Sequence, residues 1–496
     1  MTPPTEPVIV TNSDDVLRSS DAGGRVARGS AIRGLGYVAG VGFGFATSVL
    51  LLRYLGVNDY GKYGAIAALL GLVLSITDGG MTTIGARELS ITPAGAERER
   101  LASSLMTLRA LSATLGVCVA VVFAFIFYGS TMAIGAVLIG VSVIFVSAQG
   151  MATVPLLAEL RAAPIAIFDL IRQGLTLLGV FGLVVYGASL LPFFGIQIPV
   201  MLIVLVVTLI YVRRTFRLGF SRHRAHIGYL IRQTLPMSVA VVLNSLYLGA
   251  MVVLVSLLSD DTTTGIYAAP ARVLEVLVFL AGVMVSMAIP VLAVSGAEDR
   301  ERFRNGLQLL FQSRLVISGA ITIGLVAAAP EIMTLIGGPA FAPSGPVLQI
   351  QALALIGIFA NQALQFALVT LNAQRRLIYA NAIALVTLLV GGFVLVPTLG
   401  PEGGALAVVV GEFVLCTALL VALRMTDRST VPQLRFLLLF VLCALPAVGV
   451  MLIPINGWIV AVAASAVFVA LALALKVAPP AVVHAFTTKL RPRAQG

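Results

Sequence analysis

Arg272 and Glu275 stand three residues apart in an apolar run that begins just after Asp260-Asp261. On a helix that spacing puts both side chains on one face. Two chemistries are open to such a pair. It can neutralise itself while packing helices, or Arg272 can present a cation to a phosphate while Glu275 tunes it. Asp78 sits in a second apolar run, before Gly79-Gly80, with no charged residue at i±3 or i±4. Asp169 and Arg172 form another i,i+3 pair, read as structural. Glu412 is alone in its run, placed to link helices in protonated form or to couple to protons. Asn244, Asn361 and Gln365 are amides in apolar surroundings. Such groups glue helices or bond sugar hydroxyls, and Asn361 and Gln365, four apart, share a face that suits a polar lining. Arg33 and Arg87 lie near the ends of their runs, where they can reach lipid headgroups or turn inward.

Other chemistries find no support. Cys118, Cys416 and Cys443 all lie in apolar runs, without a CxxC. His223, His226 and His484 lie in basic loops or the tail, so no metal site and no cofactor is expected. Gly34-x-Gly36-x-x-Ala39 imitates a dinucleotide fingerprint but opens an apolar helix rather than following a strand. Gly36, Gly40 and Gly44 instead form a small-xxx-small stripe that predicts close helix packing.

These residues need a membrane to position them. The chain has 496 residues, is 59% hydrophobic and 11% charged, and has a mean hydropathy of +1.05. A soluble domain carries about 25% charged residues. Apolar runs of about 20 residues without alternation predict spanning helices rather than a barrel. Some fourteen runs fit, the first at 30–55 and 61–86, and the eighth at 264–294. Arg272 then lies about 12 Å below the outer end of span 8. An ionisable group at that depth is tolerated only beside water or a partner.

The formal charge of +11 reports topology before it reports nucleic acid, and no nucleic-acid partner is expected. Every second loop is basic, from Arg18, Arg25 and Arg28 to Lys489, Arg491 and Arg493. Only Arg53, Lys62 and Arg272 fall on the outer side or deep in a span. The positive-inside rule puts both termini in the cytoplasm of a protein of the inner membrane. Residues 1–29 read as a disordered cytoplasmic tail.

A shift of 204 aligns Gly61-Lys62-Tyr63-Gly64-Ala65 with Gly265-Ile266-Tyr267-Ala268-Ala269, and Arg28, Arg98 and Arg100 with Arg232, Arg302 and Arg304. Six spans separate the copies, so the repeats run parallel, about an axis along the membrane normal. The expected all-α architecture has two pseudo-symmetric six-helix lobes, at 30–217 and 228–425. A cytoplasmic linker at 218–227 joins them, a helix pair follows at 431–476, and a cytoplasmic tail closes the chain at 477–496.

Arg53-Tyr54-Leu55-Gly56, Asp59-Tyr60-Gly61, Tyr63 and Asp78-x-Gly80 resemble the start of the Wzx-type polysaccharide flippases of the MOP superfamily, which also holds lipid II flippases and multidrug MATE exporters. Leu235-Pro236, Tyr247, Gly265-x-Tyr267 and Arg272 extend the resemblance through the second lobe. It implies lobes forming a V around a cationic cavity, and an undecaprenyl-diphosphate-linked oligosaccharide as substrate. It also implies a proton or sodium gradient as the drive. The stretch Leu248-Gly249-Ala250-Met251-Val252 departs from the family in carrying no acidic residue, which argues against ion coupling through span 7.

The expected function is therefore a flippase, not an enzyme, with membrane lipid around it and a polysaccharide polymerase or glycosyltransferase as partner. Arg33, Arg87, Arg272, Asn244, Asn361 and Gln365 are its candidate substrate ligands. Asp78, Glu275 and Glu412 are candidates for coupling. The rivals are a lipid II or multidrug exporter of the same fold, and a membrane glycosyltransferase or polymerase. The last needs catalytic carboxylates on a sizeable outer loop, and the outer loops here are a few residues long.

Overall fold

A computed structural model describes residues 22–93, 95–216, 219, 224–278, 300–433, 435–453 and 456–475, with side chains from Ala39 onward except at 162, 224–227, 229, 233, 236, 237, 240, 248 and 302. The described residues are helical throughout, apart from short turns. The helices are α1 (Ala22–Asp78), α2 (Met81–Ile91), α3 (Ala96–Phe127), α4 (Ser130–Ala158), α5 (Ala162–Tyr186), α6 (Leu190–Gly195) and α7 (Gln197–Arg213). They continue as α8 (Arg224–Leu258), α9 (261–278), α10 (Arg300–Gly337), α11 (Ser344–Thr370), α12 (Gln374–Leu399), α13 (Pro401–Thr426), α14 (Arg435–Met451) and α15 (Gly457–Ala474).

Eleven of these segments are long and apolar enough to cross a bilayer, or twelve if the bent α8 is taken as one span. The first, Ala39–Ile91, holds both of the spans expected at 30–55 and 61–86. No loop separates them. A single residue, Gly56, leaves helical geometry at φ 67°, ψ −177°, a region open to glycine because it lacks Cβ. The second expected span is itself interrupted. Gly79 and Gly80 take φ of 47° and 81°, and α2 starts afresh after them. The chain beyond 278 in expected span 8, the tails 1–21 and 476–496, and much of the 218–227 linker lie outside the described residues.

The middle of α1, just beyond the Gly56 break, and the start of α9 meet in a reciprocal contact. Gly61 packs against the backbone of Asp261, and Gly265 against the backbone of Val57. Gly64 faces the Cβ of Ala268, and Asn58 Nδ2 donates to Thr262 Oγ1 at 3.4 Å, across a separation of 204 residues. Each position thus touches its own counterpart, or its counterpart's neighbour, under the shift read from sequence. Leu51, Leu52 and Tyr60 of α1 bury themselves there with Val273 and Leu274 of α9 and Leu355 of α11. Arg53 closes the seam from one side, donating from Nη2 to the Leu335 carbonyl at 2.6 Å and from Nε to Ile336 at 3.3 Å. These are among the last carbonyls of α10, where a cation suits both the unpaired acceptors and the helix dipole.

Charge collects at the mouth of this seam. Lys62 pairs with Asp59 at 2.9 Å. Asp260 caps α9, accepting from the Thr263 amide at 3.1 Å, and that contact holds its carboxyl below the usual range. Burial, together with the nearby Asp260 and Asp59, pushes the Asp261 carboxyl up, with Lys62 opposing. A raised carboxyl opposes closure while ionised and stops opposing it once protonated. Lowering the pH on this side from neutrality through about pH 4 should therefore tighten the seam. The distance between spin labels attached at positions 58 and 262 should shorten over that window. The shortening should vanish in Asp261→Asn, and an unchanged profile in that variant would discount Asp261 as its origin.

Candidate functional site

A cavity of about 400 Å³ opens between α1, α5 and α9. Gly40, Gly44 and Phe45 line it from α1, Asp169, Arg172 and Gln173 from α5, and Arg272, Glu275 and Val276 from α9. The glycine stripe of α1 makes this room. No atom lies within 4 Å of where a Gly40 Cβ would stand, and Gly44 faces the Gln173 amide. The close helix packing expected of the stripe is thus corrected at Gly40, where the absent side chain opens the void, while Gly44 does pack against Gln173 of α5.

Arg272 enters from α9. Its Nε donates to Ser48 Oγ of α1 at 3.2 Å, and its Nη1 pairs with the Glu275 carboxylate. Almost half of its side chain, 49%, is still accessible. The guanidinium thus keeps donors beyond those fixed to Ser48 and Glu275. Facing it is a second pair. Arg172 donates from Nε and Nη2 to Asp169 Oδ1 at 3.2 and 3.0 Å. The structure thus brings two arginines and two carboxylates into one space, two of them from the pair read as merely structural. The signal was in the sequence: both pairs have i,i+3 spacing.

The remaining candidates lie elsewhere. Arg33 falls in α1, but its side chain lies outside the described residues. Arg87 is exposed on α2 and Asn244 exposed on α8, and neither lines the cavity. Gln365 is half-buried on α11, also away from the cavity lining. Asn361 does not join it there. It is 2% exposed and donates from Nδ2 to the Glu412 carboxylate at 2.7 Å and to the Glu412 carbonyl at 3.0 Å. The Tyr247 hydroxyl lies against neighbouring Gly411. Asn361 and Glu412 thus form a buried link between α11 and α13. Removing one partner of such a link leaves a polar group stranded, at a cost of about 1–3 kcal/mol. Asn361→Ala should therefore lower the melting temperature in detergent, and adding Glu412→Gln should recover part of the loss. An additive double variant would mean that the two groups do not support each other.

Asp78 sits at the break between α1 and α2. Its Oδ1 accepts from Thr82 Oγ1 at 2.7 Å and its Oδ2 from the Gly80 amide at 3.2 Å, so it satisfies donors at the new helix start. Its charge partner, Arg109, was not singled out from sequence. Arg109 is 4% exposed, donates to the Leu74 carbonyl at 3.2 Å and Thr77 Oγ1 at 3.3 Å, and lies 3.9 Å from Asp78. Arg314 was missed in the same way. It is 5% exposed and donates to the Phe359 carbonyl at 2.7 Å and Gln362 Oε1 at 2.5 Å. Both had been placed among the basic residues near inner helix ends, yet both are buried within the helix bundle. Among the described residues no group of three or more His, Cys, Asp or Glu is placed to hold a metal ion.

The chain folds as a helical membrane bundle with a charged cavity between α1, α5 and α9, and solved structures share this helical fold. The lipid II flippase MurJ, in an inward closed conformation, is similar to it at a TM-score of 0.73, with 15% identity over 89% of this chain and 98% of that one. An inward-facing multidrug resistance MATE transporter of the MOP superfamily is similar at 0.60, with 14% identity over 78% and 94%. The Vibrio cholerae MATE transporter VcmN is similar at 0.53, with 14% identity over 79% and 94%. No curated protein sequence matches the chain. The family model of polysaccharide biosynthesis proteins matches residues 26–295, more than half of the 496. The protein belongs to that family.

Proposed function

We propose that the protein carries an oligosaccharide unit linked to undecaprenyl diphosphate from the cytoplasmic to the outer leaflet, by alternating access, for polysaccharide assembly. The observation that carries this reading is the single cavity shared by Arg272 and Arg172. A diphosphate offers strong acceptors to planar guanidinium forks. The glycan crosses beside these residues while the prenyl tail stays in lipid. The closed outer seam of α1 and α9 makes the occupied state one that loads from the opposite side. Family membership supports polysaccharide assembly over cell-wall precursor or drug export, and it supports transport rather than catalysis.

In this reading both termini face the cytoplasm and the protein sits in the inner membrane, with a polymerase or glycosyltransferase taking the product. A proton or sodium gradient drives the cycle, and Glu275 and Asp169 are the acids that face the cavity. The test is reconstitution in liposomes with three substrates: an undecaprenyl-diphosphate oligosaccharide, lipid II and a cationic drug. Faster transfer of the first supports the proposal. Transfer of lipid II or the drug alone overturns it in favour of the corresponding exporter.

A further inference from the structure

A second cavity, of about 800 Å³, lies between α12 and α13. It shares no lining residue with the cavity that holds Arg272. Its floor is made of small residues, with Ala380 and Ala422 buried and Ala418 half-buried. Its walls are apolar and open to the outside. Tyr379, Ile383, Val421 and Met425 are 56%, 53%, 52% and 68% exposed. At one end stand two arginines. Arg375 is exposed. Arg376 is half-buried and crosses from α12 to α13, where its Nη1 donates to Thr426 Oγ1 at 2.5 Å. Both arginines line the cavity, and neither forms an ion pair with a carboxylate among the described residues.

A trough of alanines between two membrane helices, with a cationic end, has the shape and charge of a phospholipid site. Apolar walls take acyl chains, and the guanidinium pair takes an anionic headgroup at the depth where such groups sit. We propose that this cavity holds an anionic phospholipid, bound to the α12–α13 pair independently of the transported molecule. A zwitterionic lipid brings its own cation with its phosphate and would leave the net charge of the two arginines uncompensated. A free phosphate would leave the trough unfilled.

The test uses the full chain purified in detergent, with phosphatidylglycerol, phosphatidylcholine and inorganic phosphate as probes, read by native mass spectrometry and by melting temperature. The expected result is one retained phosphatidylglycerol that phosphatidylcholine does not replace and millimolar phosphate does not displace. Arg375→Gln with Arg376→Gln should weaken retention about tenfold or more. Ala418→Phe, which fills the trough while leaving both arginines, should weaken it as well. Each variant is judged against its own lipid-free melting temperature, so a folding defect registers separately. Retention unchanged in both variants overturns the proposal. So does equal retention of phosphatidylcholine, or a melting shift produced by phosphate alone. Displacement by an undecaprenyl-diphosphate oligosaccharide would reassign the cavity to the transported molecule.

Discussion

Replacing Arg272 by alanine should all but abolish oligosaccharide transfer while leaving a folded, membrane-inserted protein. The guanidinium stands in an accessible cavity, held by Ser48 and Glu275 with donors to spare. Two charge-assisted hydrogen bonds to a diphosphate are worth about 1.5–3 kcal/mol each. Their loss predicts a fall of more than about 100-fold in transfer rate at low substrate. Arg272→Lys should recover only part of it, because a point charge cannot make the bidentate contact. Glu275→Gln should be milder, because it leaves the guanidinium in place. The double variant Arg272→Ala with Glu275→Gln separates the readings. If it transports normally, the pair is only a neutralised packing element and the diphosphate reading fails. If it remains inactive, the arginine itself is required.

A comparable loss should follow from Gly265→Leu. A side chain there would occupy the space of the Val57 backbone, and no rotamer can avoid it. Backbone cannot retreat as a flexible side chain can, so the overpacking cost of about 1–3 kcal/mol falls on the closed seam alone. The variant should rest open on that face and transport at least tenfold more slowly. In a background lacking Cys118, a cysteine at Ser48 should react with an impermeant thiol reagent added outside, faster than in the parent. Gly71→Leu is the control, since nothing lies within 4 Å of that position's Cβ direction. If Gly265→Leu transports like Gly71→Leu, the seam does not have to close during the cycle.

Composition and run length were enough to read an all-helical membrane bundle, because lipid leaves the backbone few alternatives. The 204-residue shift surfaced physically where Asn58 meets Thr262 and Gly61 meets the chain beside Gly265. The motif Arg53-Tyr54-Leu55-Gly56 was legible as a resemblance, but its work was not. Arg53 caps α10, the Tyr54 hydroxyl donates to the Ala188 carbonyl at 2.8 Å, and Gly56 breaks the helix. Each partner lies more than a hundred residues away, where spacing rules along one helix cannot reach. Arg109 and Arg314 were hidden at shorter range, by partners 32 to 48 residues away on neighbouring helices. Each sits eight or nine residues into its run, close enough to a basic loop to pass as a topology signal. Asn361 failed for the opposite reason. Its spacing from Gln365 described one face correctly, but a face can meet a neighbouring helix as easily as water, and α13 supplied Glu412.

Contacts between equivalent positions arise wherever two identical copies associate about a two-fold axis. The pairs 58 with 262 and 64 with 268 lie where such an axis would pass, and 57 with 265 and 61 with 261 are mirrored about it. The seam therefore has the reciprocal pairing of a two-fold interface, formed within one polypeptide. It follows that exchanging residues between partners, Asn58 for threonine and Thr262 for asparagine, should be neutral when made together. Evolution can then diversify the cavity walls of one half without disturbing the seam that both halves share.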